Sequence, residues 1–277
     1  MNYRLINKEV MSDTLEHCQK DLILKESIEK SIAESEVVYS EEQIPFPHTG
    51  TKPTTKVLVT HARTLEAAQK YKKEHVAVLD FANNHSVGGA PWSAGAQEEC
   101  MCRVSTLYPC LLAQRNSFYQ KHIDAFENGK LDDMGNDDLM YIPGVTVFKT
   151  DSDIPNMLKQ KDWFQVDVIV CAAPQIGNHV YKQSEYLPLM RRRIKRIYDI
   201  AEQHHVTHFV LGAFGCGAFR NDPHDVATIM ADLLPDYSFE IVEFAVKSDE
   251  NEYNENYQAF EDAMEGINYG RIYNQER

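Results

Sequence analysis

Continuous apolar runs alternate with amphipathic segments along most of the chain. The runs at 76–81, 166–172 and 206–213 are dominated by Val, Ile, Leu and Ala, which is typical of strands buried on both faces. Runs of this kind separated by helices predict a largely parallel sheet between two helical layers. The predicted strands are 56–60, 76–81, 139–142, 145–148, 166–172, 206–213 and 239–246, and the predicted helices are 63–71, 98–113, 186–204 and 222–234.

The first fifty residues follow a different pattern. Residues 7–39 are charged and rich in helix formers, whereas 40–55 contain three prolines and a glycine, which interrupt regular structure. We therefore predict an N-terminal helical extension over 1–50, packed on the core, and a main domain over 51–277. The polar segment 249–277 is expected to form a C-terminal helix and a loose tail.

Composition narrows the possible partners. The 277 residues carry a formal net charge of −14, which argues against general nucleic-acid binding because that requires many Lys and Arg contacts to phosphates. A single phosphorylated ligand held by backbone N–H groups remains compatible with this charge. The six cysteines form no secreted framework, and the N-terminus has no apolar signal core. No apolar run approaches the length of a membrane span, so we expect a cytoplasmic protein without a membrane partner.

The most informative segment follows the predicted strand 76–81. It turns through Gly88-Gly89-Ala90 and then places Gln97-Glu98-Glu99 at the start of a helix. In a sheet of this type, ligands bind beyond the carboxyl ends of the strands. Neighbouring helical residues diverge by about 100°, so the two glutamates cannot flank one bond at a separation of about 5–10 Å. One is therefore predicted to be an acid and the other a positioning group; the alternative is an acidic helix start that suits the helix dipole.

A second strand also runs directly into glycines. The segment 210–219 reads VLGAFGCGAF, and Asn221-Asp222-Pro223 then opens a helix. Successive N–H groups in such a turn can bind a diphosphate, and the helix N-terminus beyond would add to the field. The segment is neither a Walker loop nor a GxGxxG fingerprint. The alternative is a tight strand–helix turn without a ligand.

Together, the two segments resemble the microbial-type poly(ADP-ribose) glycohydrolase family, which is built on a macrodomain. The family signature is three glycines, six to eight residues, and Gln-Glu-Glu; here it reads Gly88-Gly89-Ala90, six residues, and Gln97-Glu98-Glu99. The segment FGCGAFRNDP at 214–223 is similar to the diphosphate loop of the family. The resemblance extends over roughly 57–247.

The resemblance implies a macrodomain-like three-layer α/β/α sandwich with a mixed, largely parallel sheet, the catalytic domain occupying 51–277. It implies hydrolysis of the ribose–ribose O-glycosidic bond of poly(ADP-ribose), with release of ADP-ribose and without metal or organic cofactor. Glu99 would protonate the departing ribose oxygen and then deprotonate the attacking water, while Glu98 would orient the neighbouring ribose. The implied partner is the ADP-ribose polymer or an ADP-ribosylated target. The residues expected to contact the substrate are Gln97, Gly88, Gly89, Ala90, Asn83, Gly215, Cys216, Gly217, Ala218 and Phe219.

The chain departs from the family pattern at Ala90, where a third glycine is expected. Pro91 restricts Ala90 to extended conformations, and the added methyl group could narrow the site. The departure motivates one alternative function, a hydrolase of mono-ADP-ribose on protein or nucleic acid. A second alternative is a binding module that holds ADP-ribose without turnover. Cys100, Cys102 and the upstream His85 do not have the spacing of a zinc site, so no metal is predicted.

Overall fold

The computed structural model describes residues 2–45, 55–177 and 181–275. Within these ranges, seven strands form one mixed sheet in the order β1-β4-β5-β3-β6-β7-β2. The two strands β1 and β4 run antiparallel to their neighbours, and the other pairs are parallel. The predicted fold class is therefore confirmed. The strands are β1 (Glu36–Val38), β2 (Lys56–Thr60), β3 (Val76–Phe81), β4 (Leu139–Val147), β5 (Phe164–Cys171), β6 (His208–Leu211) and β7 (Ile241–Ala245).

Helices cover both faces of this sheet. Alternate residues of β3 point to opposite faces, as a strand requires: Ala77 and Leu79 pack in one apolar cluster, and Val76 and Val78 pack in the other. The first cluster includes side chains of the helices at 183–203 and 223–233, and the second includes side chains of the helices at 64–69, 97–104 and 107–113. The helices are α1 (Tyr3–Lys20), α2 (Leu22–Glu34), α3 (Thr64–Gln69), α4 (Gln97–Val104), α5 (Leu107–Ala113), α6 (Gln120–Glu127), α7 (Gln183–Gln203), α8 (Pro223–Leu233) and α9 (Glu255–Gln275).

The sequence prediction omitted strand β1 and helix α6, and it divided two other segments differently. The predicted helix 98–113 is two helices, because Ser105 is extended and forms a bridge with Val147 of β4. Conversely, the two predicted strands at 139–142 and 145–148 are the single strand β4. That strand pairs with β5 on both sides of an irregularity between Ile142 and Val145, where Gly144 adopts φ +66°.

The N-terminal segment is joined to the rest of the fold by specific contacts. The Asn7 side chain donates to the carbonyls of Ser93 (3.3 Å) and Ala94 (3.0 Å), and the hydroxyl groups of Ser27 and Thr146 lie 2.7 Å apart. Residues 36–38 then add strand β1 to the edge of the sheet. The division at residue 50 stays a prediction, and part of the predicted junction at 40–55 lies outside the described residues. None of the described helices has the length and apolar character needed to cross a membrane.

Candidate active site

A cavity of about 460 Å³ lies at the carboxyl ends of the parallel strands, within the size range of small-molecule sites. Of the predicted site residues, eight line it: Asn83, Gln97, Glu98, Glu99, Gly215, Gly217, Ala218 and Phe219. The other four, Gly88, Gly89, Ala90 and Cys216, are not among the lining residues. Three of these four belong to the loop that packs beside the glutamates.

The Gln97 side chain fixes the start of α4 against the end of β3. Its Oε1 accepts from the Phe81 N–H at 2.9 Å, and its Nε2 donates to the Leu79 carbonyl at 2.7 Å and to the Thr64 hydroxyl at 3.1 Å. The amide predicted to contact substrate is thus fully engaged within the protein. Its three bonds place the two glutamates that follow at the edge of the cavity.

Glu98 is almost completely buried, with 3% of its surface exposed. Its Oε2 accepts from the Asn83 N–H at 2.9 Å, whereas its Oε1 is buried without a partner among the described residues. Burial, followed by the charge of Asp80, raises the pKa of Glu98 well above its usual range. This carboxyl group is therefore suited to carry a proton and to bond a hydroxyl group of a ligand.

Asp80 lies behind the two glutamates and is completely buried. Neither of its carboxyl oxygens has a hydrogen-bond partner among the described residues. Burial and the charge of Glu99 raise the pKa of Asp80 well above its usual range. Sequence reasoning did not select Asp80, although a carboxylate inside the apolar run of β3 is an anomaly that could have identified it.

Glu99 contacts the loop that carries the two glycines. Its Oε1 accepts from the Ala90 N–H at 3.0 Å, and it is 8% exposed. Gly88 and Gly89 have φ values of +64° and +65°, which side-chain-bearing residues rarely adopt. Ala90 is not among the described residues with positive φ, so the methyl group in place of the third glycine requires no backbone strain.

The second glycine loop closes against the end of β5. Gly215 has φ +73°, and a Cβ there would lie 2.4 Å from both Ala173 Cβ and Asn221 Nδ2. The Asn221 amide donates to the carbonyls of Pro174 and Gly215, each at 2.9 Å. This packing holds the loop in a sharp turn without a ligand-dependent contact.

The N–H groups of this loop are the feature that can bind a diphosphate. Within the described parts of the chain, the N–H groups of Gly217, Ala218 and Phe219 donate to no protein acceptor. The N-terminus of α8 contributes less than expected from the sequence, because the Asp222 carboxylate already accepts from its first N–H groups. Burial raises the pKa of the Cys216 thiol to about 12, so Cys216 is a neutral packing residue.

The opposite end of the cavity consists of residues that sequence reasoning missed. Ala62, Arg63 and Thr64 follow β2, and Val246 and Lys247 follow β7. Both strands are parallel members of the sheet, so the rule that placed the glycine loops at this edge could have located these residues. No group of three or more His, Cys, Asp or Glu side chains in the described ranges is arranged to hold a metal ion.

The fold and the cavity together define the class: a macrodomain-like domain with an acidic pair beside a loop whose N–H groups have no acceptor among the described residues. Residues 11–150, half of the 277-residue chain, match the family model described as the microbial-type PARG catalytic domain. The chain belongs to this family. No curated protein matches the sequence.

Solved structures agree with the family assignment. The poly(ADP-ribose) glycohydrolase of Thermomonospora curvata is 27% identical, with a TM-score of 0.81 over 93% of this chain and 98% of its own. The same enzyme bound to the inhibitor ADP-HPD is 28% identical, with a TM-score of 0.78 over 92% and 98%. The Deinococcus radiodurans enzyme in complex with ADP-ribose is 28% identical, with a TM-score of 0.73 over 87% and 97%. The predicted family and the prediction of a glycohydrolase are confirmed, while the roles of individual residues stay predictions.

Proposed function

We propose that this chain hydrolyses the ribose–ribose O-glycosidic bond of poly(ADP-ribose) and releases ADP-ribose, with Glu99 as the general acid and base. The observation that carries the proposal is the placement of Glu99 in the cavity wall, held by the Ala90 N–H, on the same sheet edge as the free N–H groups of 217–219. The solved relatives bound to ADP-ribose and to ADP-HPD support the same ligand class.

The reaction needs one proton donor that later becomes a base. Glu99 donates its proton to the departing ribose oxygen as the glycosidic C–O bond breaks, and positive charge develops on the ring. Water then attacks the anomeric carbon and returns a proton to Glu99, which restores the enzyme. The Glu98 carboxyl group lies beside that of Glu99, because a Cβ at Gly89 would be within 3.2 Å of both, so Glu98 does not supply a second group across the bond.

Glu98 orients the ribose in this mechanism. Its Oε1 lacks a partner among the described residues, and its raised pKa favours the protonated form, which can both donate to and accept from a hydroxyl group. Asn83 contributes through its backbone N–H, which fixes the other carboxyl oxygen at 2.9 Å. A ribose hydroxyl group would satisfy the buried oxygen that the protein leaves unpaired.

The order of the strands supports one orientation of the ligand. The acids follow β3, the N–H groups of 217–219 follow β6, and the Arg63 and Lys247 end of the cavity follows β2 and β7. An ADP-ribose unit in this cavity has its reacting ribose beside Glu99, its diphosphate on the loop and its nucleoside towards β7 and β2.

The test is release of ADP-ribose from the polymer by the wild type and by Glu99→Gln, with ADP-ribose binding measured by calorimetry for both. Exposed Glu127→Gln on α6 is the matched control. We expect release by the wild type and the control, and binding without release by Glu99→Gln. Unchanged hydrolysis by Glu99→Gln would refute the assignment of the acid. If ADP-ribose is released from mono-ADP-ribosylated protein but not from the polymer, the substrate is the mono-ADP-ribosylated protein and the proposed substrate is wrong.

A further inference from the structure

A second cavity of about 360 Å³ adjoins the first. The two share a wall formed by Arg63, Gly95, Cys100, Asp151 and Lys247. Beyond this wall the second cavity is bounded by the first turns of α1 and by the segment 152–155. A ligand that extends past the β2 and β7 end of the first cavity would enter the second.

Basic side chains outnumber acidic ones in the lining of the second cavity, although the chain has a net charge of −14. Arg63, Arg103 and Lys247 line it, against Asp151 and Asp153. Arg103 is 3% exposed and donates to the Pro91 carbonyl at 2.9 Å and the Ala94 carbonyl at 2.7 Å.

No carboxylate of the described residues lies within 4 Å of the Arg103 guanidinium. The buried guanidinium is bonded to two carbonyls and, at 3.2 Å, to the Cys100 sulfur, so its charge contributes positive potential to the cavity wall. This potential favours an anionic ligand.

Asp153 bridges the two cations that stand at the junction of the cavities. Its Oδ1 accepts from Arg63 Nη2 and, at 3.2 Å, from Lys247 Nζ. Asp153 and Lys247 are more than half exposed, whereas the Arg63 side chain is only 12% exposed. Lys247 and Arg63 hold the pKa of Asp153 below its usual range.

The carboxylate oxygen of Asp153 thus has the two donors that a phosphate oxygen would receive from an Arg and a Lys. Arg63 is also 3.8 Å from Asp151, a buried carboxyl group that accepts from the Leu65 N–H at 3.0 Å.

We propose that the second cavity binds the polymer unit joined to the ADP-ribose in the first cavity, and that Asp153 occupies the Arg63–Lys247 clamp until a phosphate of that unit displaces it. The inference rests on the proposed function. It follows from the shared wall, from the excess of cations, and from a substrate in which each repeating unit carries a diphosphate. Asp153 therefore opposes binding of the polymer. It does not line the first cavity, so it does not compete with the ADP-ribose unit bound there.

Binding of two ligands to the inactive Glu99→Gln protein tests the inference. ADP-ribose and poly(ADP-ribose) of defined length are titrated with and without the added substitution Asp153→Asn. We expect polymer affinity to rise about threefold to fivefold, as for loss of one competing exposed ion pair, and ADP-ribose affinity to change less than twofold.

Asp232→Asn is the matched control, because Asp232 is an exposed acid paired with Arg191 at 3.3 Å, away from both cavities. This substitution removes the same charge and should leave both affinities unchanged. If it raises polymer affinity as much as Asp153→Asn, overall charge explains the effect and the inference is wrong.

A second variant addresses the cavity itself. Ser152 lines the second cavity but not the first, so Ser152→Trp should fill it and lower polymer affinity while ADP-ribose still binds. Exposed Ser12→Trp on α1 is its control. Equal polymer affinity for Ser152→Trp and Ser12→Trp would overturn the inference while the hydrolase assignment stands. Failure of the Glu99→Gln protein to bind ADP-ribose would instead refute the proposed function and, with it, this inference.

Discussion

A Cβ at Gly89 would lie 2.4 Å from Oε1 of Glu99, closer than any side chain can approach. The glycine loop therefore determines where the proposed acid lies, in addition to any contact with a ligand. We expect Gly89→Ala to displace the Glu99 carboxyl group and to lower kcat/KM by about 100-fold or more, since small displacements of a catalytic group are costly. Steady-state hydrolysis of poly(ADP-ribose) measures the effect.

Gly129 separates this effect from backbone strain. It has the same φ, +65°, but a Cβ there would meet no atom within 4 Å. Gly129→Ala should therefore lower the free energy of unfolding by about 1 kcal/mol or more, with kcat/KM unchanged. Equal losses of activity in the two variants would show that strain, and not the position of Glu99, is responsible.

Glu98→Gln is expected to be milder than Glu99→Gln. Glu98 is buried with a raised pKa, so glutamine replaces a neutral carboxyl group of the same shape. We expect Glu99→Gln to lower kcat by about 10²–10⁴-fold, the range for loss of a general acid. Glu98→Gln should act mainly through KM, because it alters the contact to a ribose hydroxyl group. If Glu98→Gln removes kcat while Glu99→Gln retains it, the two roles are reversed.

Gln97→Ala should destabilise the fold as well as the site. It removes three hydrogen bonds and leaves the Phe81 N–H and the Leu79 carbonyl unpaired at the end of β3. We expect the free energy of unfolding to fall by about 2–4 kcal/mol, measured by urea denaturation. Gln120→Ala, which removes an exposed bond to Asp124, should change it by less than about 0.5 kcal/mol. A loss as small for Gln97 as for Gln120 would contradict the structural role.

Secondary-structure elements could be predicted where the residues of the segment itself determine its conformation. The bounds of β3 agree with the predicted run 76–81, because both faces of that strand are buried and every position is apolar except Asp80. The break at Ser105 could not be predicted in the same way. Serine is compatible with a helix, and the break arises because Ser105 pairs with Val147, which is distant in sequence. Likewise, Pro143-Gly144 indicated a turn, but pairing with β5 on both sides keeps β4 continuous.

In the candidate site, too, residues close together in sequence could be predicted, whereas residues brought together by strand pairing could not. The glycine loops and acids are contiguous in sequence, so their spacing identified them. Arg63 and Lys247 follow two strands that are far apart along the chain, and only the β7–β2 pairing brings them to the same cavity. Gln97 was selected from the sequence as part of the motif, but its three bonds to β3 and α3 became visible only with the fold.

Asp80 predicts a dependence of stability on pH. Its pKa is raised well above the ordinary value of 3.8 by burial and by Glu99, so the folded state binds a proton that the unfolded state releases. The stability contributed by the protonated group is complete below pH 3.8 and is lost as the pH rises towards the raised folded pKa. Asp80→Asn removes this loss because the amide does not titrate.

We therefore expect the free energy of unfolding of Asp80→Asn to exceed that of the wild type at pH 8, with an advantage that shrinks towards pH 4. Exposed Asp124→Asn should differ from the wild type by a constant amount over the same range. A constant difference for Asp80→Asn as well would show that the Asp80 carboxyl group has no raised pKa in the folded protein.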